Sequence, residues 1–122
     1  SDVSIYLNTG YEFLAGSTRL SAGTSQKIAL NLFSTCLMIR LNKVYKGFMV
    51  DMKSTNAKLR SRAEKMLVEI TSCDPLKAYK TLLKTDYNIK LSIMLINNFS
   101  KKKALEALQK TEGNIEKALK MK

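Results

Sequence analysis

A short stretch near the N-terminus combines the residue types that bind phosphate groups in proteins. This signature segment, Gly10–Asn31, places Gly16 and Gly23 among hydroxyl-bearing and cationic side chains, and it leads into a long apolar run. Backbone amides at a helix start, hydroxyls and nearby cations are the groups that hold a phosphate. The candidate contacts are Ser17, Thr18, Arg19 and Lys27. A glycine-rich connection in which Thr24 or Ser25 merely caps the next helix explains the same composition, so the residues alone leave both interpretations open.

The residue types present exclude several other kinds of chemistry. The chain of 122 residues contains no histidine, which removes His-based triads, His general bases and the commonest metal ligands. Its ten carboxylates form no obvious acid/base pair. Cys36 and Cys73 stand isolated in the sequence, which indicates free thiols in a reducing cytoplasm and not a disulfide framework or a metal site. We therefore expect no metal and no other cofactor.

Charge and hydropathy limit the classes of partner. The formal net charge of +11 is compatible with nucleic-acid binding. The cations are spread along the chain, however, and only Lys101–Lys103 forms a run, without interleaved aromatic residues. The most apolar segment, Ile28–Ile39, is interrupted by polar residues and is shorter than the ~20 residues of a membrane helix, and no secretory signal is visible. We expect a soluble, cytoplasmic protein that binds neither nucleic acid nor membrane.

The patterning before residue 74 predicts one short strand and two longer helices. Val3–Leu7 has the β-branched and aromatic alternation of a strand, and a lone strand requires a partner, which indicates that the N-terminal part of a domain is missing. Thr24–Tyr45 is predicted to be a helix that is apolar around most of its circumference, so we expect a missing domain body or a second subunit to bury it. Phe48–Met52 reads as an extended piece, and Ala57–Ser72 as an amphipathic helix.

The C-terminal part contains an internal repeat. Asp74–Ile93 and Ser100–Leu119 align at a fixed offset, such that Asn88 matches Asn114. Each copy is predicted to form a helix, a turn and a second, shorter helix. The predicted N-caps are Asp74 (followed by Pro75), Asn88, Ser100 and Asn114. Gly113 supplies the turn in the second copy, whereas Tyr87 holds the matching place in the first. We expect the copies to pack as a small bundle, in preference to a protein-docking module loosely similar to ubiquitin-associated domains.

The signature segment resembles that of a known family. Its pattern G-x-E-x-L-A-G-S-T-R-L-x-A-G-T-x-Q-K-x-x-L-N is similar to the signature shared by bacterial N-acetylmuramic acid 6-phosphate etherases and the glucokinase regulatory protein. The etherases are the better match, because the regulatory protein is much longer. The resemblance continues along nearly the whole chain, through Met38–Leu41, Lys43–Tyr45, Phe48–Asp51, Thr55–Leu59 and Gly113–Ile115.

The resemblance implies a fold and an activity. The chain would be mainly α, and would form the C-terminal part of an α/β sugar isomerase (SIS) three-layer fold that is dimeric and binds phosphosugars. Residues 1–73 would be the C-terminal portion of the SIS domain, and residues 74–122 a small helical bundle. The family's etherases are lyases that cleave the D-lactyl ether of N-acetylmuramic acid 6-phosphate in cytoplasmic cell-wall sugar recycling. They use glutamates as acid and base, in an elimination followed by addition of water, and need no metal.

The resemblance also limits what this chain contributes. The family's catalytic glutamates would lie upstream of Ser1, so we expect no catalytic residue here and no turnover by this chain alone. Glu12 matches a motif glutamate but is not assigned a catalytic role. Two positions depart from the signature: Tyr11 replaces the usual proline and Ser21 the usual lysine. The missing lysine keeps open a non-catalytic phosphosugar-binding regulatory module, and the repeat keeps open a helical interaction module.

Overall fold

The computed structural model describes residues 2–121, which fold into six helices and one two-stranded hairpin. The helices are α1 (Ser21–Arg40), α2 (Ala57–Thr71), α3 (Pro75–Lys84), α4 (Ile89–Ile96), α5 (Lys101–Lys110) and α6 (Ile115–Leu119), and the strands are β1 (Val44–Tyr45) and β2 (Phe48–Met49). The prediction of a mainly α chain is confirmed. The chain divides into two compact units, one up to residue 38 and one from residue 39 onward.

The predicted strand Val3–Leu7 is wrong. Residues 2–10 adopt no strand, and the only β-ladder in the described part of the chain joins β1 to β2. Alternating β-branched and aromatic residues give a segment the propensity for a strand, but a strand forms only where a run of ladder hydrogen bonds is made with a neighbour. Residues 2–20 therefore lead to α1 without regular secondary structure.

Helix α1 is apolar and exposed. It runs from Ser21 to Arg40 and buries none of its residues, and Phe33, for example, is 66% exposed. The prediction of a helix over Thr24–Tyr45 was right in type, but the helix begins three residues earlier and ends five residues earlier. No helix in the described part of the chain is long and apolar enough to cross a membrane. What covers the apolar surface of α1 stays a prediction.

A tight hairpin follows α1 and accounts for the early end of the predicted helix. Asn42 adopts a left-handed backbone conformation (φ 56°), which stops the helix. Val44 then pairs with Met49, and Tyr45 with Phe48, in antiparallel register. Only two residues, both with positive φ, connect the strands, a geometry that matches the twist of paired strands. The predicted extended piece beyond Tyr45 is therefore half of a hairpin, and it delivers Val50 to the protein core.

The core lies between α2 and the repeated helices. Helix α2 buries one face against α3 and α4, as its amphipathic pattern predicts. The buried residues of this face are Ala63, Met66, Leu67 and Ile70. Because α2 packs on the repeat, α2 and the repeat belong to one compact unit, which begins at residue 39. The division of a larger domain after residue 73 stays a prediction.

The predicted repeat is confirmed, down to its four N-caps. Asp74 Oδ2 accepts from the Leu76 amide at 2.9 Å, and Ser100 Oγ accepts from the Lys103 amide at 3.3 Å. The shorter helices are capped in the same way: Asn88 Oδ1 accepts from Leu91 N at 3.0 Å and Asn114 Oδ1 from Lys117 N at 2.9 Å. Each cap satisfies an amide that the first turn of a helix leaves without an intrahelical acceptor. The α2–α6 region is called the helical bundle below.

The turn inside each copy of the repeat requires a residue with positive φ. The two copies place different residues there, glycine in one and tyrosine in the other. Gly113 has φ 76° and the matching Tyr87 has φ 56°. We expect Gly113→Ala to destabilise the bundle by about 1–2 kcal/mol, because a Cβ disfavours the left-handed region. The Lys90 ammonium, 2.8 Å from the position of that Cβ, is the end of a flexible side chain and can move. Urea denaturation measures the change, and Glu106→Ala, at an exposed site on α5, is the control.

Candidate functional site

The end of the signature segment is held by Glu12. Its Oε2 accepts from the Ser21 amide at 2.8 Å and its Oε1 from the Ala22 amide at 2.9 Å. These amides open α1, so the carboxylate fills the role of a helix cap from nine residues upstream. The hydrogen bonds from Ala22 and then Ser21 hold the pKa of Glu12 below its ordinary value of 4.5. Glu12 is therefore a carboxylate at neutral pH, with both oxygens engaged.

This contact changes both interpretations of the segment. The amides of Ser21 and Ala22, at the helix start where a phosphate was predicted to bind, already donate to Glu12. Thr24 and Ser25 are not the cap, because both lie inside α1, and the Ser25 hydroxyl donates to the Ala22 carbonyl at 3.0 Å. Sequence reasoning missed the cap because local capping patterns span three residues. The one signal was an acidic residue in the motif without an assigned role.

The four predicted phosphate contacts fall in two places of the same unit. Ser17, Thr18 and Arg19 lie in a turn closed by backbone hydrogen bonds, including Ser17 N to Leu14 O at 2.9 Å. Lys27 lies farther along, exposed on α1. The Ser17 side chain is half-buried, and those of Thr18 and Arg19 are exposed. Ser17, Thr18 and Arg19 are thus consecutive residues of one turn, and Lys27 lies on the helix that follows.

Gly23 allows the turn to dock on α1. Its amide donates to the Thr18 carbonyl at 2.8 Å, and a Cβ at this position would lie 3.3 Å from the same oxygen. That distance is tighter than an ordinary contact with a backbone atom, so a side chain here would push the turn outward. Together, Gly23 and Glu12 fix the hydroxyls and Arg19 relative to the helix start. Such a turn can offer hydroxyl and guanidinium donors to an anion, while the helix amides stay occupied.

The sequence has close counterparts in three bacteria. The chain is 43% identical over 120 residues to the N-acetylmuramic acid 6-phosphate etherase of Oenococcus oeni. It is 44% identical over 120 residues to the enzyme of that name from Geobacillus sp. (strain WCH70), and 43% identical over 122 residues to that from Caldanaerobacter subterraneus subsp. tengcongensis. These matches cover 98% or 99% of the chain. Over nearly its whole length, the chain is similar in sequence to proteins named N-acetylmuramic acid 6-phosphate etherase. No protein-family model matches it.

The share of each sequence that is aligned shows how much of an etherase this chain corresponds to. The chain spans about 40% of the length of these etherases, so it corresponds to a part of them and not to a whole enzyme's length. Because 98% of the chain is covered, the matched region includes both the signature segment and the helical bundle. The bundle is thus part of the etherase-like sequence.

The contact at Glu12 should make the start of α1 sensitive to acid. Because the folded-state pKa is lower than the ordinary value, the carboxylate stabilises this unit above pH 4.5. That contribution is lost as the pH falls through the lowered pKa. We expect the Ser21 and Ala22 amide resonances to shift together on acidification, and Glu12→Gln to show weaker protection of these amides at neutral pH. NMR titration with hydrogen exchange measures both effects.

A variant at another acidic position controls for the loss of charge. Glu116→Gln removes an exposed carboxylate on α6 that, among residues 2–121, pairs only with Lys120 and should leave the Ser21 and Ala22 amides unchanged. If the acid-induced shifts persist unaltered in Glu12→Gln, the carboxylate that titrates is not Glu12.

Proposed function

We propose that this chain is part of a carbon–oxygen lyase that cleaves the D-lactyl ether of N-acetylmuramic acid 6-phosphate. The products are N-acetylglucosamine 6-phosphate and D-lactate, and the role is recycling of cell-wall amino sugars in the cytoplasm. The observation that supports this proposal is the 43% identity, over 98% of the chain, to an enzyme named for that substrate and that ether bond. The turn at Ser17–Arg19 is consistent with a phosphosugar ligand, because it presents hydroxyl and guanidinium donors.

We propose that this chain supplies one wall of the phosphosugar site. In this role Ser17 and Thr18 donate hydroxyl hydrogen bonds, and Arg19 and Lys27 neutralise phosphate charge. Arg19 can make two parallel hydrogen bonds to a phosphate, whereas Lys27 acts as a point charge. Because the amides at the start of α1 are held by Glu12, these side chains carry the contacts.

The acid and base of the reaction would come from glutamates outside this chain, in a homodimeric enzyme. Elimination needs a base to remove a proton beside an activated carbon and an acid to protonate the departing lactate oxygen, and water then adds. A general acid at neutral pH requires a raised pKa. Glu12 has the opposite property, a lowered pKa, and both of its oxygens already accept hydrogen bonds. It is therefore unsuited to the acid role.

The test is D-lactate release from N-acetylmuramic acid 6-phosphate by a full-length protein that contains this chain. We expect turnover, and we expect Arg19→Gln and Lys27→Gln each to raise KM by roughly tenfold, the loss of one charge-assisted contact. Lys102→Gln, at an exposed site on α5, is the matched control and should leave KM unchanged. Absence of lactate refutes the activity, whereas turnover with unaltered KM in both variants refutes the assigned contacts.

A regulatory module that binds phosphosugars without turnover is the second candidate. It is favoured by Ser21, which stands where the signature usually has lysine and so removes one cation from the segment. The same full-length protein separates the two. Saturable binding of a hexose 6-phosphate without any lactate release would support regulation over catalysis.

A further inference from the structure

A cleft in the helical bundle lies outside the site proposed above. It has a volume of about 400 Å³ and forms where the segment before α2 faces the turn between α3 and α4. This volume lies within the range of pockets that hold small ligands. All of its lining residues belong to the unit that begins at residue 39. They are residues 50–55, Arg60 and residues 86–89, and we call this the bundle cleft.

Arg60 presents a positioned guanidinium to the bundle cleft. Its Nε donates to the Ser54 carbonyl at 3.4 Å, and its Cζ lies 5.2 Å from the centroid of the Tyr87 ring. The Tyr87 hydroxyl in turn donates to Glu64 Oε1 at 3.5 Å. The ring and the carbonyl orient the guanidinium, while its other N–H donors make no hydrogen bond within residues 2–121. Less conformational entropy is therefore lost when these donors bind a ligand.

Ser54 adds a hydroxyl that the protein does not use. Its Oγ is shielded from solvent and makes no hydrogen bond within the described residues. Leaving a buried hydroxyl without a partner destabilises the fold, and such groups in native proteins call for an explanation. A ligand oxygen in the bundle cleft would supply the missing partner.

The charges around the bundle cleft favour an anion. Asp51 and Asp86 line it together with Lys53 and Arg60. Asp51 is compensated, because its carboxylate oxygens lie 3.7 Å from Lys43 Nζ and 3.5 Å from Lys90 Nζ. Because these two lysines, which do not line the cleft, neutralise Asp51, the lining cations Lys53 and Arg60 stand against Asp86, and the surplus is positive.

We propose that the bundle cleft binds a small molecule through a carboxylate or phosphate group. Arg60 makes the main contact through its unused guanidinium donors, and the Ser54 hydroxyl makes a second. The cation–π contact with Tyr87 holds Arg60 in place through the face of the guanidinium. The N–H donors along its edge stay available to the anion. This site is independent of the phosphosugar site, so it stands or falls on its own.

The test is a titration of the chain with inorganic phosphate and, separately, with acetate at constant ionic strength, followed by amide NMR. We expect saturable shifts at residues 52–60 and 86–89 with at least one of the two anions. Arg60→Gln should weaken binding by roughly tenfold or more, as for loss of a charged hydrogen bond. Ser54→Ala should weaken it severalfold. Arg62→Gln removes an exposed arginine of the same helix that does not line the cleft and should leave binding unchanged.

The outcomes separate the proposal from general charge attraction. Equal weakening in Arg60→Gln and Arg62→Gln would overturn it, as would the absence of saturation with either anion. Saturation by phosphate alone, or by acetate alone, identifies the group that the cleft recognises. Arg60→Lys provides a check against misfolding, because it retains the charge but not the planar donor set, and circular dichroism verifies its fold. Undiminished affinity in that folded variant would also refute the role of the guanidinium.

Discussion

Leu82→Ala is expected to destabilise the helical bundle by about 2–5 kcal/mol, the range for emptying a leucine site in a packed core. Leu82 is 0% exposed, and it belongs to the cluster of buried side chains that joins α2, α3 and α4. Removing its three outer carbons leaves a cavity that rigid helices on several sides fill only in part. Urea denaturation followed by circular dichroism measures the change in the free energy of unfolding.

The neighbouring residue supplies a matched control. Leu83 has the same chemistry and lies on the same helix, but it is 52% exposed. Leu83→Ala should therefore change the free energy of unfolding by less than about 1 kcal/mol, since surface substitutions leave no enclosed cavity. Equal effects at the two positions would show that α3 does not pack as described.

Thr85→Val is expected to cost about 0.5–1.5 kcal/mol, the net contribution of one buried hydrogen bond, because the Ser92 hydroxyl keeps a second partner. The hydroxyl oxygens of Thr85 and Ser92 lie 2.6 Å apart, and both residues are buried. The Ser92 hydroxyl is also 2.8 Å from the Asn88 carbonyl. This pair connects the end of α3 to α4. It is a polar contact at a buried position, where apolar side chains are more common. Chemical denaturation of the variant measures the loss.

The second copy of the repeat shows how to test the coupling. There, Thr111 donates to its own helix and lies 3.1 Å from the Asn114 carbonyl, while the buried Ala118 takes the place of Ser92. Ser92→Ala should therefore be tolerated better than Thr85→Val, and the double variant should cost less than the sum of the two. Additive effects in this double-mutant cycle would mean that the two hydroxyls do not interact.

The elements that the sequence predicted well are those determined by local chemistry. The N-caps at Asp74, Asn88, Ser100 and Asn114 depend on hydrogen bonds that span two or three residues. The repeat also provides two observations of each cap, since matching positions in the two copies cap matching helices. Local patterns of this kind are readable without knowledge of the tertiary fold.

The elements that the sequence predicted poorly depend on partners farther away. Glu12 reaches the start of α1 across nine residues, so no capping pattern identifies it. The strand predicted at Val3–Leu7 is absent because propensity cannot supply a neighbouring strand. The hairpin was hidden by Tyr45, which extends the apolar run of α1 although it pairs with Phe48. The bundle cleft had no signal in the sequence, since it joins the segment before α2 to a turn some thirty residues later.

The exposed surface of α1 has a consequence for the life of the chain in a cell. The twenty residues of α1 include many exposed aliphatic and aromatic side chains. Chaperones bind such side chains, and aggregation begins at them. The abundance of this chain would then be set by how quickly that helix is covered, in competition with proteases, and not by the stability of the well-packed helical bundle. A polypeptide can thus be folded over most of its length and still be treated by quality control as unfinished.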